Sequence, residues 1–264
     1  MTTHPADPPK TSAATMTRDN YKFPSHRLLR QQRTDRTPVV LVACGSFSPI
    51  NNQHIRMFGQ AVRYTQTHPN ANLEIVGSYL SPVSDKYGKS GLESGSHRVR
   101  MCELAADDEG GSKLLMVDPW EAVQPEYTPT AEALDHFDQE INGKLDGILT
   151  KDGSRRIPVH IMLLGGSDLL TSMASPGVWD QKDVDHILKD YGAIIVERVG
   201  EPTPADVLND PEYKLHKTPP IKEYGESSTI IRSHRQQGMA IKALTPKSVI
   251  DYIETHHLWA PTTV

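Results

Sequence analysis

Only two cysteines, Cys44 and Cys102, occur among the 264 residues. Two thiols make neither a disulfide framework nor a four-thiolate zinc site, which agrees with a reducing compartment. Long apolar runs are missing too: Val39 to Cys44 and Val159 to Leu164 are the longest, far short of the roughly 20 residues that span a bilayer. No membrane segment is expected. Met1 to Pro9 carry threonine, histidine, aspartate and proline where a secretory signal needs an apolar core, so the protein is expected inside the cell, in nucleus or cytoplasm. Nor is there an excess of basic charge, since 28 Lys and Arg against 33 Asp and Glu leave a net charge of -5. Nucleic-acid binding through broad phosphate neutralisation is disfavoured, and any anionic ligand must be held locally. No GxGxxG follows a strand, and neither GxxxxGK[ST] nor HExxH occurs, which weakens dehydrogenase, P-loop and zinc readings.

What is present is an ordinary globular composition, with 37% apolar residues and 18 glycines. The length allows one large domain or two small ones, either able to bury a core without metal or disulfide staples. Residues 1 to 38 hold five prolines and seven Lys or Arg against three Asp, with little apolar content. We read 1–37 as a mobile N-terminal arm and 38–264 as a single domain. Tyr21, Phe23, Leu28 and Leu29 are the arm's bulky apolar residues and the candidates for pinning its last part to the domain. Asp7, Asp19 and Asp35 argue against a transit peptide.

From Val39 onward, strand, turn and helix alternate. Val39 to Cys44 reads as a strand buried on both faces, and Ile55, Phe58, Ala61 and Val62 recur at helical spacing over about 52–65. Further strands are expected at Leu73 to Leu80, Leu114 to Val117, Val159 to Leu164 and Ala193 to Val196. Helices are expected at His97 to Ala106, Thr130 to Ile141 and Asp183 to Lys189. The C-terminal part is helical: Ser228 to Gln237 stops at Gly238, and Thr245 is read as the cap of a last helix with Pro246 in its first turn. Gly143 to Arg156 is the candidate surface insertion. The pattern is α/β, a Rossmann-like parallel sheet with helices on both faces, whose loops converge on one sheet edge.

The strongest chemical signal is Gly45-Ser46-Phe47-Ser48-Pro49, running from the first strand into a helix that carries His54 near its start. Glycine admits close approach, the helix N-terminus favours negative charge, and His54 adds a donor, so the segment is a candidate phosphate cradle. A second candidate is Ser227-Ser228-Thr229-Ile230-Ile231-Arg232, where a hydroxyl-rich helix start and an arginine one turn along can reach one anion. On the residues alone, plain packing for the first segment and an ordinary N-cap with a solvated arginine for the second are the commoner readings.

Together the two segments resemble the signature pair of the nucleotidylyltransferase superfamily, a (H/T)xGH-type and an SSTxxR-type motif. The resemblance extends through Ser81-Pro82-Val83, His97-Arg98-Val99, Val117-Asp118-Pro119-Trp120-Glu121, Leu164-Gly165-Gly166-Ser167-Asp168-Leu169-Leu170 and Trp179. In that order the blocks are similar to the eukaryotic nicotinamide mononucleotide adenylyltransferases over roughly residues 38–258. The resemblance implies a nucleotidylyltransferase-type fold. It also implies that Gly45, Ser46, Phe47 and His54 hold ATP phosphates and the joined phosphates of the product, with Ser228, Thr229 and Arg232 as a second grip. Lys89 matches a phosphate-region lysine, and Gly166 and Asp168 match the adenosine side. Trp120 and Trp179 match tryptophans around the nicotinamide ring, and Arg198 matches another nucleotide contact. The chain departs from the pattern at Asn51 and Gln53 in the first motif, at Ile230 in the second, and at Tyr224 and Gly225 just before it.

The implied activity transfers the adenylyl group of ATP to nicotinamide or nicotinic acid mononucleotide, with His54 and Arg232 stabilising developing charge. A phosphate monoester, with its second pKa near ~6, needs no general base. Mg²⁺ is expected on the phosphates rather than in a protein cage, and a homo-oligomer is expected. The competing expectations are a nucleotidylyltransferase with a different phosphate acceptor and a nucleotide-binding chaperone without turnover.

Overall fold

The computed structural model describes residues 17–108, 112–198, 210–221 and 227–261, with the backbone alone at 198 and 221. Strands β1 (Thr37–Gly45), β2 (Leu73–Pro82), β3 (Leu115–Val117), β6 (His160–Gly166), β7 (Ala193–Arg198) and β8 (Leu215–Ile221) form one sheet in the order β3-β2-β1-β6-β7-β8. Every pairing in it is parallel. The chain therefore winds outward from β1 in one direction and from β6 in the other, and the order reverses between those two strands. The short strands β4 (Ile148–Leu149) and β5 (Arg156–Ile157) pair antiparallel on their own.

Burial on both faces explains the continuous apolar composition of β1. Val39, Leu41 and Ala43 point into one core and Val40 and Val42 into the other. The first core is covered by α1 (Asn52–Thr67), α2 (Gly95–Asp107), α6 (Ser228–Gln236) and α7 (Lys247–Thr255), through Phe58, Met101, Ile231 and Ile253 among others. The second is covered by α3 (Thr130–Asp138), α4 (Ser167–Met173) and α5 (Gln181–Asp185), through Leu134, Phe137, Leu170 and Val184. Each such fully buried side chain contributes about 1.5–3 kcal/mol relative to exposure. Among the described residues no helix is long and apolar enough to cross a membrane.

The arm's bulky residues lie against the second core. Leu28 is buried, Phe23 packs on Tyr79 and Phe137, and the Leu29 N–H donates to the Val76 carbonyl at 2.9 Å. Residues 1–16 lie outside the described residues. The expected insertion has an exposed tip at 151–156, but its base is anchored: Ile148 is fully buried, and Leu149 exchanges backbone bonds with Arg30 and Gln32. One expected cap is corrected. Thr245 does not cap α7; its buried hydroxyl donates to the Ile50 carbonyl at 2.7 Å, and Pro246 occupies the cap position.

Candidate functional site

Loops leaving the ends of β1 and β6, where the strand order reverses, frame a cavity of about 580 Å³. In open α/β sheets this crevice is where ligands bind. Gly45, Ser46, Phe47 and His54 line it from the β1–α1 junction, Gly166 and Asp168 from the β6–α4 junction, Lys89 from the loop after β2, and Trp179 from the segment before α5.

The β1–α1 junction is constrained by its own side chains. A Cβ on Gly45 would lie 3.0 Å from the Phe47 ring. Phe47 has φ 43°, a left-handed backbone that bulky residues adopt only when the surroundings impose it. Those surroundings are the first core, in which the ring is buried, and His54, whose ring it meets edge-on at 5.0 Å. Asn51 then caps α1: its side chain accepts the His54 N–H at 3.1 Å, and its own N–H donates to His54 Nδ1 at 3.1 Å. Because Nδ1 accepts, a neutral His54 carries its proton on Nε2. The departure at Asn51 is thus the feature that orients His54.

The second motif reaches the same loop. Ser227 caps α6 by accepting the Ile230 N–H at 3.2 Å, and Ser228 Oγ donates to the Pro49 carbonyl at 2.8 Å. Arg232 donates from Nη1 to the Ser48 carbonyl at 2.9 Å and from Nη2 to Thr229 Oγ1 at 3.3 Å. The starts of α1 and α6 therefore meet at Ser48 and Pro49, beside the cavity-lining Phe47. Ser228, Thr229 and Arg232 do not themselves line the cavity.

Trp179 lines the cavity as a half-buried ring fixed by its indole N–H, which donates to Ser172 Oγ at 3.0 Å. Trp120, expected to share that ring site, is not brought there. It stacks on His136 with ring centroids 4.1 Å apart and 6° between planes, beside a second, shallower cavity of about 360 Å³. The physical reason is the platform: His136 Nε2 lies 3.0 Å from Asp118 Oδ2 and 3.0 Å from the Tyr21 hydroxyl, which holds a flat buried face for the indole. Arg198 ends β7, but its side chain lies outside the described residues, as do Tyr224 and Gly225.

Three cavity-lining residues carry chemistry that the sequence reading did not assign. Glu121 is 2% exposed, and its Oε2 accepts the Ser81 hydroxyl at 2.7 Å. Burial pushes its carboxyl up to about 8, against the opposing pull of Ser81 and Arg98. Tyr87 and Tyr127, both exposed, stack with centroids 5.7 Å apart at the cavity. Glu121 stood inside a quoted motif, but only its burial makes it unusual, and burial is a property of the fold.

Comparisons with known proteins bear on the family. A cytidylyltransferase-like family model matches residues 42–234. The nicotinamide/nicotinic acid mononucleotide adenylyltransferase of Schizosaccharomyces pombe is 48% identical over 91% of this chain and 66% of its own length. The Bos taurus nicotinamide/nicotinic acid mononucleotide adenylyltransferase 1 is 33% identical over 87% of this chain and 91% of its own. The chain spans 61–66% of the length of the yeast relatives it matches. A structure of Plasmodium falciparum nicotinic acid mononucleotide adenylyltransferase complexed with NaAD shares the fold, with TM-score 0.61 and 21% identity over 84% of this chain and 97% of that one. The sheet order, the β1–α1 junction with its capped His54 and the extent of these matches lead to one assignment: the chain belongs to the cytidylyltransferase-like family and, within it, to the nicotinamide/nicotinic acid mononucleotide adenylyltransferases.

Proposed function

We propose that this protein transfers the adenylyl group of ATP to nicotinamide mononucleotide and to nicotinic acid mononucleotide, releasing pyrophosphate and giving NAD or its deamido form. The observation that carries this reading is one cavity holding the Gly45–Phe47 turn and His54 at one strand end, Asp168 at the neighbouring strand end, and the ring of Trp179. Phosphates belong at the turn and helix start, where N–H groups and the helix dipole favour negative charge. A ribose belongs at Asp168, whose carboxylate accepts hydroxyl hydrogen bonds. A flat pyridine belongs against Trp179.

In the reaction, one phosphate oxygen of the mononucleotide bonds to the α-phosphorus of ATP as the bond from that phosphorus to the β-phosphate bridge breaks. The nucleophile is already ionised at neutral pH, so positioning and charge stabilisation carry the rate. The Nε2–H of His54 is the donor for the charge that develops, and Lys89 adds a cation on the same cavity. Ser228 and Arg232 hold the Ser48 and Pro49 carbonyls and so set the shape of the loop. Mg²⁺ enters this reading as an ion bound through the phosphate oxygens of the substrates. When bound, the ion neutralises phosphate charge.

The test is a product assay with ATP, Mg²⁺ and each mononucleotide in turn, reading dinucleotide and pyrophosphate together. Stoichiometric formation of both is expected, and ATP binding without pyrophosphate release would refute the reading. A second expectation concerns Trp179→Ala. Loss of a ring contact worth about 0.5–1.5 kcal/mol should raise KM for the mononucleotide by up to about 10-fold and leave KM for ATP little changed. An equal rise for both substrates would displace the pyridine from Trp179.

A further inference from the structure

Among the described carboxyl groups lining the cavity, Glu121 alone is buried; Asp168 and Asp180 are exposed and Asp183 is intermediate. Among the described residues the Glu121 side chain has one hydrogen bond, taken at Oε2 from the Ser81 hydroxyl, which leaves Oε1 for a ligand. A pyridine that carries a carboxylate brings one more negative charge into this cavity than a pyridine that carries a carboxamide. Among the described residues the lining meets it with Asp168, Asp180 and Asp183 against Lys89 and His54, and an ionised Glu121 would add a further negative charge to that set. Whether Glu121 is ionised then decides how that charge is received.

We infer that Glu121 sets the balance between pyridine mononucleotides bearing a carboxylate and those bearing a carboxamide, an inference that rests on the adenylyltransferase reading above. A neutral carboxyl donates its O–H to the oxygen of either substituent. An ionised one accepts from the carboxamide N–H₂ but repels a carboxylate, at the low effective dielectric of a buried site. Burial holds Glu121 neutral up to about pH 8. The charged and titratable groups facing it come from four elements. Arg98 on α2 favours the ionised form, and Asp118 after β3 opposes it. Cys44 on β1 and Tyr127 before α3 are themselves pushed up by burial and by Glu121, so both stay neutral through the range in which Glu121 titrates. A break in the acid-to-amide ratio near pH 8 would therefore be assigned to Glu121.

The experiment measures kcat/KM for both mononucleotides from pH 6 to pH 9.5, with the full chain, ATP and Mg²⁺, and takes the acid-to-amide ratio. The ratio cancels titration of the substrate phosphates and of shared groups. In the unmodified protein it should be flat at low pH and fall above about pH 8, approaching 10-fold per pH unit. In Glu121→Gln, which keeps an N–H donor and cannot ionise, it should be flat throughout. Ser81→Ala removes a bond that favours the ionised form, so its break should move to higher pH. That arm decides the matter should Glu121→Gln fail to fold. A pH-independent ratio in the unmodified protein, the same break in Glu121→Gln, or an unmoved break in Ser81→Ala overturns the inference while both mononucleotides are still turned over. Turnover of neither mononucleotide overturns the adenylyltransferase reading and this inference with it.

Discussion

Replacing His54 by alanine is expected to lower kcat by about 100-fold or more while KM for both substrates changes little. The expectation follows from where the ring is held. Two reciprocal bonds with Asn51 and an edge contact with Phe47 fix the imidazole, and in the proposed reaction, with Nδ1 spent on the Asn51 N–H, the Nε2–H is the donor for the reacting phosphates. A donor fixed in advance pays no reorganisation when charge develops, and removing one such group costs about 10²–10³ in turnover. An interaction made mainly in the transition state lowers kcat rather than raising KM. Steady-state pyrophosphate release at saturating ATP and mononucleotide measures the effect.

The same substitution removes the acceptor for the Asn51 N–H, so a small loss of stability accompanies it, about 0.5–1.5 kcal/mol for one hydrogen bond at a helix start. Thermal unfolding separates the two effects, because a cap loss of that size leaves nearly all the protein folded at assay temperature. Near-normal turnover in His54→Ala would remove the imidazole from the reaction. It would leave the Gly45–Phe47 backbone and Lys89 as the phosphate-holding groups.

The parts of this molecule that were legible in the sequence are those decided by local pattern. Continuous apolar runs marked β1, β6 and β7, and helical spacing marked α1, because each element buries its own stripe or both faces. The strand β8 was missed because Pro219 and Pro220 lie inside it; it is tolerated as an edge strand, with only β7 to pair. The helix α4 was missed because its seven residues, which start directly from Gly166 at the end of β6, are too few to show a helical period. In the site, motif spacing located the loop of Gly45 to His54, and the starts of α1 and α6 do meet there. The direction of Trp120 was not legible, since it depends on His136, which is itself held by Asp118 and Tyr21. Thr245 was misread for a related reason: its hydroxyl serves a carbonyl 195 residues away in sequence.

Arg98 tests how the cavity's loops are held together. Its side chain is fully buried, and its guanidinium donates to the carbonyls of Glu93 at 2.8 Å, Ser46 at 3.1 Å and Val83 at 2.5 Å, and to Asp85 Oδ1 at 2.8 Å. One planar cation thus joins the loop after β1 to the loop after β2. The ion pair is the smaller part of this, because the Asp85 side chain is 55% exposed and solvent screens it. The larger part is three carbonyls that lose their donor when the guanidinium goes. Arg98→Ala adds a cavity to that loss and should cost about 3–5 kcal/mol, read as a lowered urea midpoint with unchanged slope. Arg98→Met keeps most of the volume and still orphans the carbonyls, so it should cost less, about 2–3 kcal/mol. Its activity should nevertheless fall with that of Arg98→Ala, because the Ser46 carbonyl is released in both. A methionine variant as stable and as active as the unmodified protein would show that packing, rather than the guanidinium, sets the position of Ser46 at the cavity.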